Sequence, residues 1–349
     1  MAEQTKASGS NSDVFQAKLM EMVAAAWTTQ TLYVAAKLGV PELLAAGPLH
    51  DGELAQATGA NVRSLARLMR ALVALEICII GPDGKYQLTA LGSYLRRDVP
   101  GSVRGMALHW GGQLWEMWGH LLDSVMTGRN ARSGEDPSAV FASFMGDSEQ
   151  AAIFNQAMVN ITEAVAETVL RAYDFGGIAR AVDVGGGYGA MLCAVLRAYP
   201  AMRGVLFDLP QVIPGARKYL DDGGVLPRCE LIEGSFFDRV PGPANACILK
   251  SIIHDWPDDR SVEILRNCAM AVNPARGKVL LVEHVMPARI EPTAAHRRAV
   301  HGDLNMMVAT GGCERTEEEF KALFERAGLR LNRIVPTDSG YCVIEAVGA

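Results

Sequence analysis

The run Ala181-Val182-Asp183-Val184-Gly185-Gly186-Gly187-Tyr188-Gly189-Ala190 constrains the fold of this chain more than any other segment. An apolar, β-branched stretch ends in a glycine cluster, and a helical apolar pattern (Met191, Leu192, Val195, Leu196) follows. That order reads as a strand, a tight turn and a helix N-terminus. Glycine permits positive φ and lets a ligand approach the main chain, while the free N–H groups of a new helix favour an anion. A nucleotide-like ligand is the expectation, set against the plainer reading of a glycine turn that only packs strand on helix. Gly185-x-Gly187-x-Gly189 suits S-adenosylmethionine, but Gly185-x-Gly187-x-x-Ala190 also satisfies the looser dinucleotide fingerprint. The glycines alone leave the cofactor open.

At 349 residues, 49% of them hydrophobic and 21% charged, the chain is long enough for two domains with a sizeable core. A formal charge of −6 and a pI near 5.7 argue against non-specific binding to nucleic acid or to an anionic membrane, both of which favour a basic surface. The seven cysteines are scattered and contain no Cys-x-x-Cys pair, so neither a disulfide framework nor a thiolate zinc site is indicated, and a cytoplasmic setting is expected. Met1–Asp13 is polar and lacks the apolar core of a signal peptide, and it reads as a disordered tail. No segment is long enough without charge to span a bilayer.

Helical spacing dominates from Val14 to about Tyr173, and the architecture changes near Gly176-Gly177. Beyond it, β-rich runs (181–184, 204–208, 229–233, 246–249, 278–284, 329–335 and 341–346) alternate with helical patterns, which predicts an open, mainly parallel sheet covered on both faces. The spacing sets domains at 14–100 and 101–349, with a Rossmann-like core from about residue 178. In the first, Gly47-Pro48 ends a helix, Asp51 caps Gly52–Thr58, and Asn61 caps an amphipathic helix carrying Leu65, Leu68, Met69, Leu72 and Val73. Residues 78–80 and 86–88 around Pro82-Asp83-Gly84 read as a hairpin, completing a winged-helix outline. That outline raises DNA binding as a rival function, since Arg63, Arg67 and Arg70 share one side of the candidate recognition helix. Three arginines on one face are more simply a solvated surface, and the acidic balance favours that reading. The helix over 16–38 carries Leu19, Met22, Val23, Ala26, Trp27, Leu32 and Val34, more apolar surface than a small winged domain needs, which points to burial against a second subunit.

Two further segments bear on chemistry. Asp208 ends the second strand about twenty residues beyond the glycines, where an acid can accept hydrogen bonds from both hydroxyls of a ribose. Lys250 and His254 follow the fourth strand in Ile248-Leu249-Lys250-Ser251-Ile252-Ile253-His254-Asp255-Trp256-Pro257-Asp258-Asp259, at the end of the sheet where ligands of such folds bind. An imidazole with an unperturbed pKa of about 6.5 is suited to taking a proton at neutral pH. Its plainer reading is a loop histidine with a structural hydrogen bond. Asp255, Asp258 and Asp259 together raise a cation site, but two acids after Pro257 and before the pattern Val262, Ile264, Leu265 are better explained by the dipole of a helix N-terminus.

In their order, the motifs VDVGGGYG, FDLPQV, GSFF, LKSIIHDWPDD, LLVEHVMP and DLNMMVATGGCERT resemble those of the metal-independent, S-adenosylmethionine-dependent small-molecule O-methyltransferases, of the plant caffeate and bacterial antibiotic-tailoring type. The first-half patterns LYVAAKLGVPELL, LAQATGA, LARLMRALVAL, YQLTALG and FNQAM resemble that family's dimerisation domain and substrate-facing helices. The resemblance implies an α/β chain: a Rossmann-like methyltransferase sheet after a mainly helical, winged-helix dimerisation domain, acting as a homodimer on an aromatic small molecule, with no metal, nucleic acid or membrane partner. It implies that Gly185, Gly187, Asp208, Ser235, Phe236, Lys250 and Trp256 bind S-adenosylmethionine. His254 would be the general base for a phenolic hydroxyl, flanked by Glu283 and Glu314. Asn155, Met158, Asp255 and Asn305 would meet the acceptor. Trp110, Trp115, Trp118, Phe141, Phe144, Phe154, Met306 and Met307 lie in segments that line the acceptor pocket of relatives, although residues of these types at helical spacing are more often core. Ser235 stands where many relatives have Asp, and Cys313 where Lys is common; the first removes a charge from the adenine region. Methylation of a non-aromatic hydroxyl or of nitrogen, a nicotinamide oxidoreductase, and a ligand-responsive DNA-binding regulator are the alternatives.

Overall fold

The computed structural model describes residues 4–132, 139–140, 146, 148–274 and 276–349. The described chain divides into two units, Met1–Trp115 and Glu116–Ala349.

The first unit opens with the helix Gln4–Lys37. The tail read as disordered is therefore helical from Gln4; no proline interrupts residues 4–13, and adding residues to an established helix is far easier than nucleating one. Val14, Phe15, Leu19, Met22, Val23 and Trp27 on this helix are exposed. Helices Val40–Ala46, Asp51–Thr58 and Val62–Ala74 follow, then the hairpin of β1 (Cys78–Ile80) and β2 (Tyr86–Leu88). The Asn61 side chain accepts from Ser64 N, as the spacing predicts. Asp51, by contrast, is the first residue of its helix and not its cap: His50 takes the cap position, and its N–H is accepted by Glu53 in a capping box. Leu54, Leu65, Met69, Leu72 and Tyr86 close the core of this unit. Arg63, Arg67 and Arg70 are exposed.

The second unit is an α/β layer structure. Its strands are β3 (Arg180–Val184), β4 (Arg203–Asp208), β5 (Cys229–Glu233), β6 (Ala246–Lys250), β7 (Lys278–Glu283), β8 (Leu329–Pro336) and β9 (Cys342–Gly348), in the spatial order β5-β4-β3-β6-β7-β9-β8. All neighbouring pairs are parallel except those made by β9, which is antiparallel to both β7 and β8. Strands covered on both faces need continuous apolar runs, and Val205–Phe207, Cys247–Leu249 and Val279–Val282 supply them. Helices Asp258–Ala271 and Glu317–Arg326 pack on one face, and Ser148–Ala172, Ala190–Ala198 and Ile213–Asp222 on the other. Strand order reverses between β3 and β6, so the crevice for a ligand opens over the carboxyl ends of those two strands. The register pairs Asp183 with both Leu206 and Ile248, which brings Gly185, Asp208 and Lys250 to that same edge.

Candidate active site

Gly185, Gly187 and Gly189 adopt φ of 66°, 59° and 86°, the left-handed region that side chains with a Cβ avoid. A Cβ on Gly185 would lie 2.6 Å from Ile252 Cδ1, and one on Gly186 would lie 2.7 Å from Asp183 Cγ. The loop is thus pinned between the segment after β6 and a buried carboxyl beneath it. Gly187 N donates to Asp208 Oδ2 and Leu209 N to Oδ1, each at 2.7 Å. Each oxygen keeps a lone pair beyond that bond, enough to receive the two hydroxyls of a ribose. Burial pushes the Asp208 carboxyl up to about 6, against the opposing pull of the two N–H groups.

Sequence reasoning missed Asp183, which is 1% exposed and whose Oδ2 has no hydrogen-bond partner among the described residues. Burial foremost, and then the Asp208 charge, raise it to about 7, with Leu192 N–H and Lys250 opposing. An acid inside an otherwise apolar, doubly covered strand was the signal available. Lys250, the last residue of β6, is pulled down to about 8 by burial despite Glu283, Asp255, Asp183 and Glu314 around it. Its Nζ lies 5.4 Å from the centre of the Tyr341 ring, a second residue that no motif singled out.

His254 sits in the short turn Ile253–Asp255 directly after β6. Ser251 enters that turn at φ 54°, a left-handed conformation costly for a residue with a Cβ, and its hydroxyl lies 3.3 Å from Tyr341 Oη. Glu283, fully buried at the end of β7, accepts the N–H groups of Ile252 (2.8 Å) and Ile253 (2.9 Å) on Oε1. Its Oε2 stands 3.5 Å from His254 Nδ1. Glu314 Oε1 accepts the Nδ1 hydrogen bond itself, at 2.9 Å, and Asp303 Oδ1 fixes Glu314 by accepting its backbone N–H. The opposite ring nitrogen, Nε2, has Asp255 Oδ1 at 3.9 Å. Burial works against a charged ring, yet Glu283, Glu314 and Asp255, with the Glu314 hydrogen bond, outweigh it and hold the imidazole up at about 10. Burial likewise opposes the Glu314 charge, and the adjoining ring keeps that carboxyl below its ordinary range. Asp255 is raised to about 7, mainly by burial and partly by the other acids, with His254 and Lys250 opposing.

The remaining expected residues fall in several places. Ser235 lines a cavity of about 300 Å³ with Phe207, Ile232, Gly234 and Asp238, next to the end of β4. Phe236 touches the glycine loop, 3.5 Å from where a Gly185 Cβ would be. Trp256 lies behind it, 3% exposed, its ring edge-on to Phe236 and Phe237. Asn155 is buried on the helix Ser148–Ala172 and donates to Ala151 O; Met158 is half-buried one turn on. Asn305 Oδ1 accepts the Trp118 indole N–H at 2.9 Å. Phe154, Met306 and Met307 are half-buried, Trp110 and Trp115 are exposed in the first unit, and Phe141 and Phe144 lie outside the described residues. Asp258 and Asp259 occupy the first turn of Asp258–Ala271 and pair with Arg315 and Arg326. His254, Glu283 and Glu314 themselves bring three ligand-type atoms within 4.8 Å of one another, and the Nδ1 hydrogen bond runs through that space.

A family model described as an O-methyltransferase domain matches residues 118–330, and one described as an O-methyltransferase dimerisation domain matches residues 20–98. The chain belongs to the O-methyltransferase family. This methyltransferase is 40% identical over 328 residues to phenazine O-methyltransferase PhzM of Lysobacter antibioticus, covering 94% of this chain and 95% of that one. The crystal structure of LaPhzM superposes with a TM-score of 0.90 at 39% identity, covering 96% of this chain and 99% of that one. The neocarzinostatin-biosynthesis O-methyltransferase NcsB1, solved with S-adenosylmethionine and 2-hydroxy-5-methyl naphthoic acid, superposes with a TM-score of 0.77 at 31% identity over 92% of this chain and 96% of that one. The nicotinamide oxidoreductase and DNA-binding readings give way to these matches. S-adenosylmethionine is the cofactor of the methyltransferase. The site fits it: a left-handed glycine loop over a buried acid, an Asp208 carboxylate with lone pairs to spare, and a cavity by Ser235.

Proposed function

We propose that this methyltransferase moves the methyl group of S-adenosylmethionine to a phenolic hydroxyl of an aromatic small molecule of secondary metabolism, with His254 as general base. It would work as a cytoplasmic homodimer, with a winged-helix dimerisation domain at its N-terminal end and the catalytic domain following. The aromatic compounds in the names of PhzM and of the NcsB1 complex, a phenazine and a naphthoic acid, support that substrate class. The observation that carries the reading is the His254 ring itself, tethered through Nδ1 to Glu314 at 2.9 Å and carrying Nε2 on its opposite side.

A carboxylate can only accept, so the neutral ring keeps its proton on Nδ1 and offers the Nε2 lone pair. Bound S-adenosylmethionine would supply an electrophilic methyl on a cationic sulfur. A phenol of pKa about 10 is protonated at pH 7 and attacks such a methyl poorly. In this reading Nε2 receives the phenolic proton as the oxygen–methyl bond forms, and Glu314, Glu283 and Asp255 stabilise the imidazolium. With the ring held at about 10, only about one in 10³ is the neutral base at pH 7 in the free protein, so base catalysis strengthens as pH rises toward that value; once neutral, the ring matches a phenol closely in proton affinity. Gly185, Gly187 and Asp208 would hold the methionine and ribose ends of the cofactor, and Lys250 would lie beneath it. Alignment of oxygen, methyl and sulfur by these contacts adds to base catalysis, which is itself typically worth about 10² to 10⁴ in rate.

The test is incubation with methyl-labelled S-adenosylmethionine and a panel of hydroxylated phenazines, naphthoates and simple phenols. Label in a phenolic ether is the expected outcome. Label on nitrogen, with no phenolic ether formed, would overturn the acceptor class.

A further inference from the structure

The segment Gly312–Arg315 docks on the turn that carries His254 and makes more contacts with its backbone than with its ring. Cys313 N donates to His254 O at 2.9 Å, and a Cβ on Gly312 would stand 2.0 Å from that same oxygen, so only glycine allows the approach. Arg315 is 1% exposed. Its guanidinium donates from Nη1 to Ile253 O (3.0 Å) and from Nη2 to Trp256 O (2.8 Å), bridging the carbonyls on either side of His254 and Asp255. Nε and Nη2 also donate to Asp258 Oδ1 at 3.1 and 2.8 Å, which ties in the start of the helix Asp258–Ala271. The Arg315 backbone is itself anchored: Met286 N donates to Arg315 O at 2.8 Å, and Val285 and Arg315 form a parallel bridge. Adjacent residues of an extended chain point to opposite sides, so Glu314 reaches the imidazole while Arg315 reaches the carbonyls behind it.

A buried charge whose one carboxylate partner among the described residues, Asp258, is 60% exposed is an expensive way to secure a turn. What arginine offers is a rigid planar fork whose donors can bridge two carbonyls at once, which a lysine ammonium on a flexible stem does not reproduce. We propose that Arg315 is a positioning residue for methyl transfer: by clamping the carbonyls of Ile253 and Trp256 it fixes the place of the His254 ring relative to the Glu314 carboxylate. This rests on His254 being the base.

The experiment compares Arg315→Lys, His254→Ala and the double variant, all as full-length protein, by single-turnover transfer from labelled S-adenosylmethionine to the best acceptor, with cofactor affinity by calorimetry. In the otherwise native protein, Arg315→Lys is expected to lower the transfer rate about 10- to 100-fold while changing cofactor Kd and acceptor KM less than about threefold. In the His254→Ala background the same substitution is expected to change the residual rate less than about threefold, because the group it positions is gone. Equal fold-losses in both backgrounds, or a native rate for Arg315→Lys alone, would overturn the proposal. If His254→Ala by itself transfers at the native rate, it is the base assignment that fails, a result distinguishable from either. Should Arg315→Lys not fold, Asp258→Asn, which loosens the fork from its exposed side, is expected to show the same background dependence with a smaller loss; a loss independent of the His254 background would overturn the proposal.

Discussion

Replacing Glu314 by glutamine removes one negative charge 2.9 Å from His254 Nδ1 while leaving an amide oxygen able to accept the same hydrogen bond. At an effective dielectric of about 20, opposite charges about 4 Å apart attract by about 4 kcal/mol, which bounds the loss at about three pK units. Glu283 and Asp255 remain and the hydrogen bond survives, so a fall of about two units is expected, from about 10 to roughly 8. The sign follows: with one acid fewer, the imidazolium is less stabilised and gives up its proton at lower pH. Nitrogen-15 NMR of labelled histidine, followed from pH 6 to 11 in the free protein, reads the ring directly. Acceptor kcat/KM over the same range should rise along a limb that moves down with it, to an alkaline plateau about tenfold lower because the base is weaker. A native ring that titrates at its ordinary value, or a limb unmoved by Glu314→Gln, would refute the reasoning.

Asp208→Asn should weaken S-adenosylmethionine binding by about 10- to 100-fold by calorimetry, since it removes the charge and turns one of the two acceptor oxygens into an NH2 donor that can receive neither a ribose hydroxyl nor the backbone N–H, with little change in turnover at saturation. Glu345, 2% exposed in β9, loses by burial but gains more from Tyr173, Asn332 and Lys278, which hold its carboxyl down at about 2. A depressed carboxyl stabilises above its unfolded pKa, so Glu345→Gln should cost about 3 kcal/mol in urea unfolding at pH 7. That difference should vanish as pH falls from about 4.5 toward 2. Prolonged dialysis against a chelator should leave methyl transfer unchanged, because the His254–Glu314 hydrogen bond already occupies the space a cation at that cluster would take.

Most of the second unit was legible because a buried parallel sheet writes itself into sequence as apolar runs. The strand 229–233 matches in both bounds, and 181–184, 204–208, 246–249 and 329–335 each gain only one residue at an end. The glycine turn and Asp208 at a strand end were local signals with local causes. Asp51 misled because the helix begins one residue earlier than its side chain suggests: His50 takes the cap position and Glu53 accepts its backbone N–H. The grouping of His254 with Glu283 and Glu314 came from family resemblance, since residues 29 and 60 positions apart meet only through the crossover between β6 and β7 and the segment after Ala294–Ala309. No spacing rule distinguishes their parts: Glu283 accepts its hydrogen bonds from the turn's backbone and Glu314 accepts from the ring. The left-handed Ser251 and the orphaned Asp183 oxygen were equally invisible, because both depend on what tertiary packing places beside them.

The central claim is that His254 takes the acceptor's proton and contributes little to holding the cofactor. Single-turnover methyl transfer by His254→Gln, measured beside its calorimetric affinity for S-adenosylmethionine, tests it most directly. The account predicts a rate reduced by about 10² to 10⁴ with cofactor Kd within threefold of the native value. Near-native transfer, or a parallel collapse of cofactor binding, would contradict it.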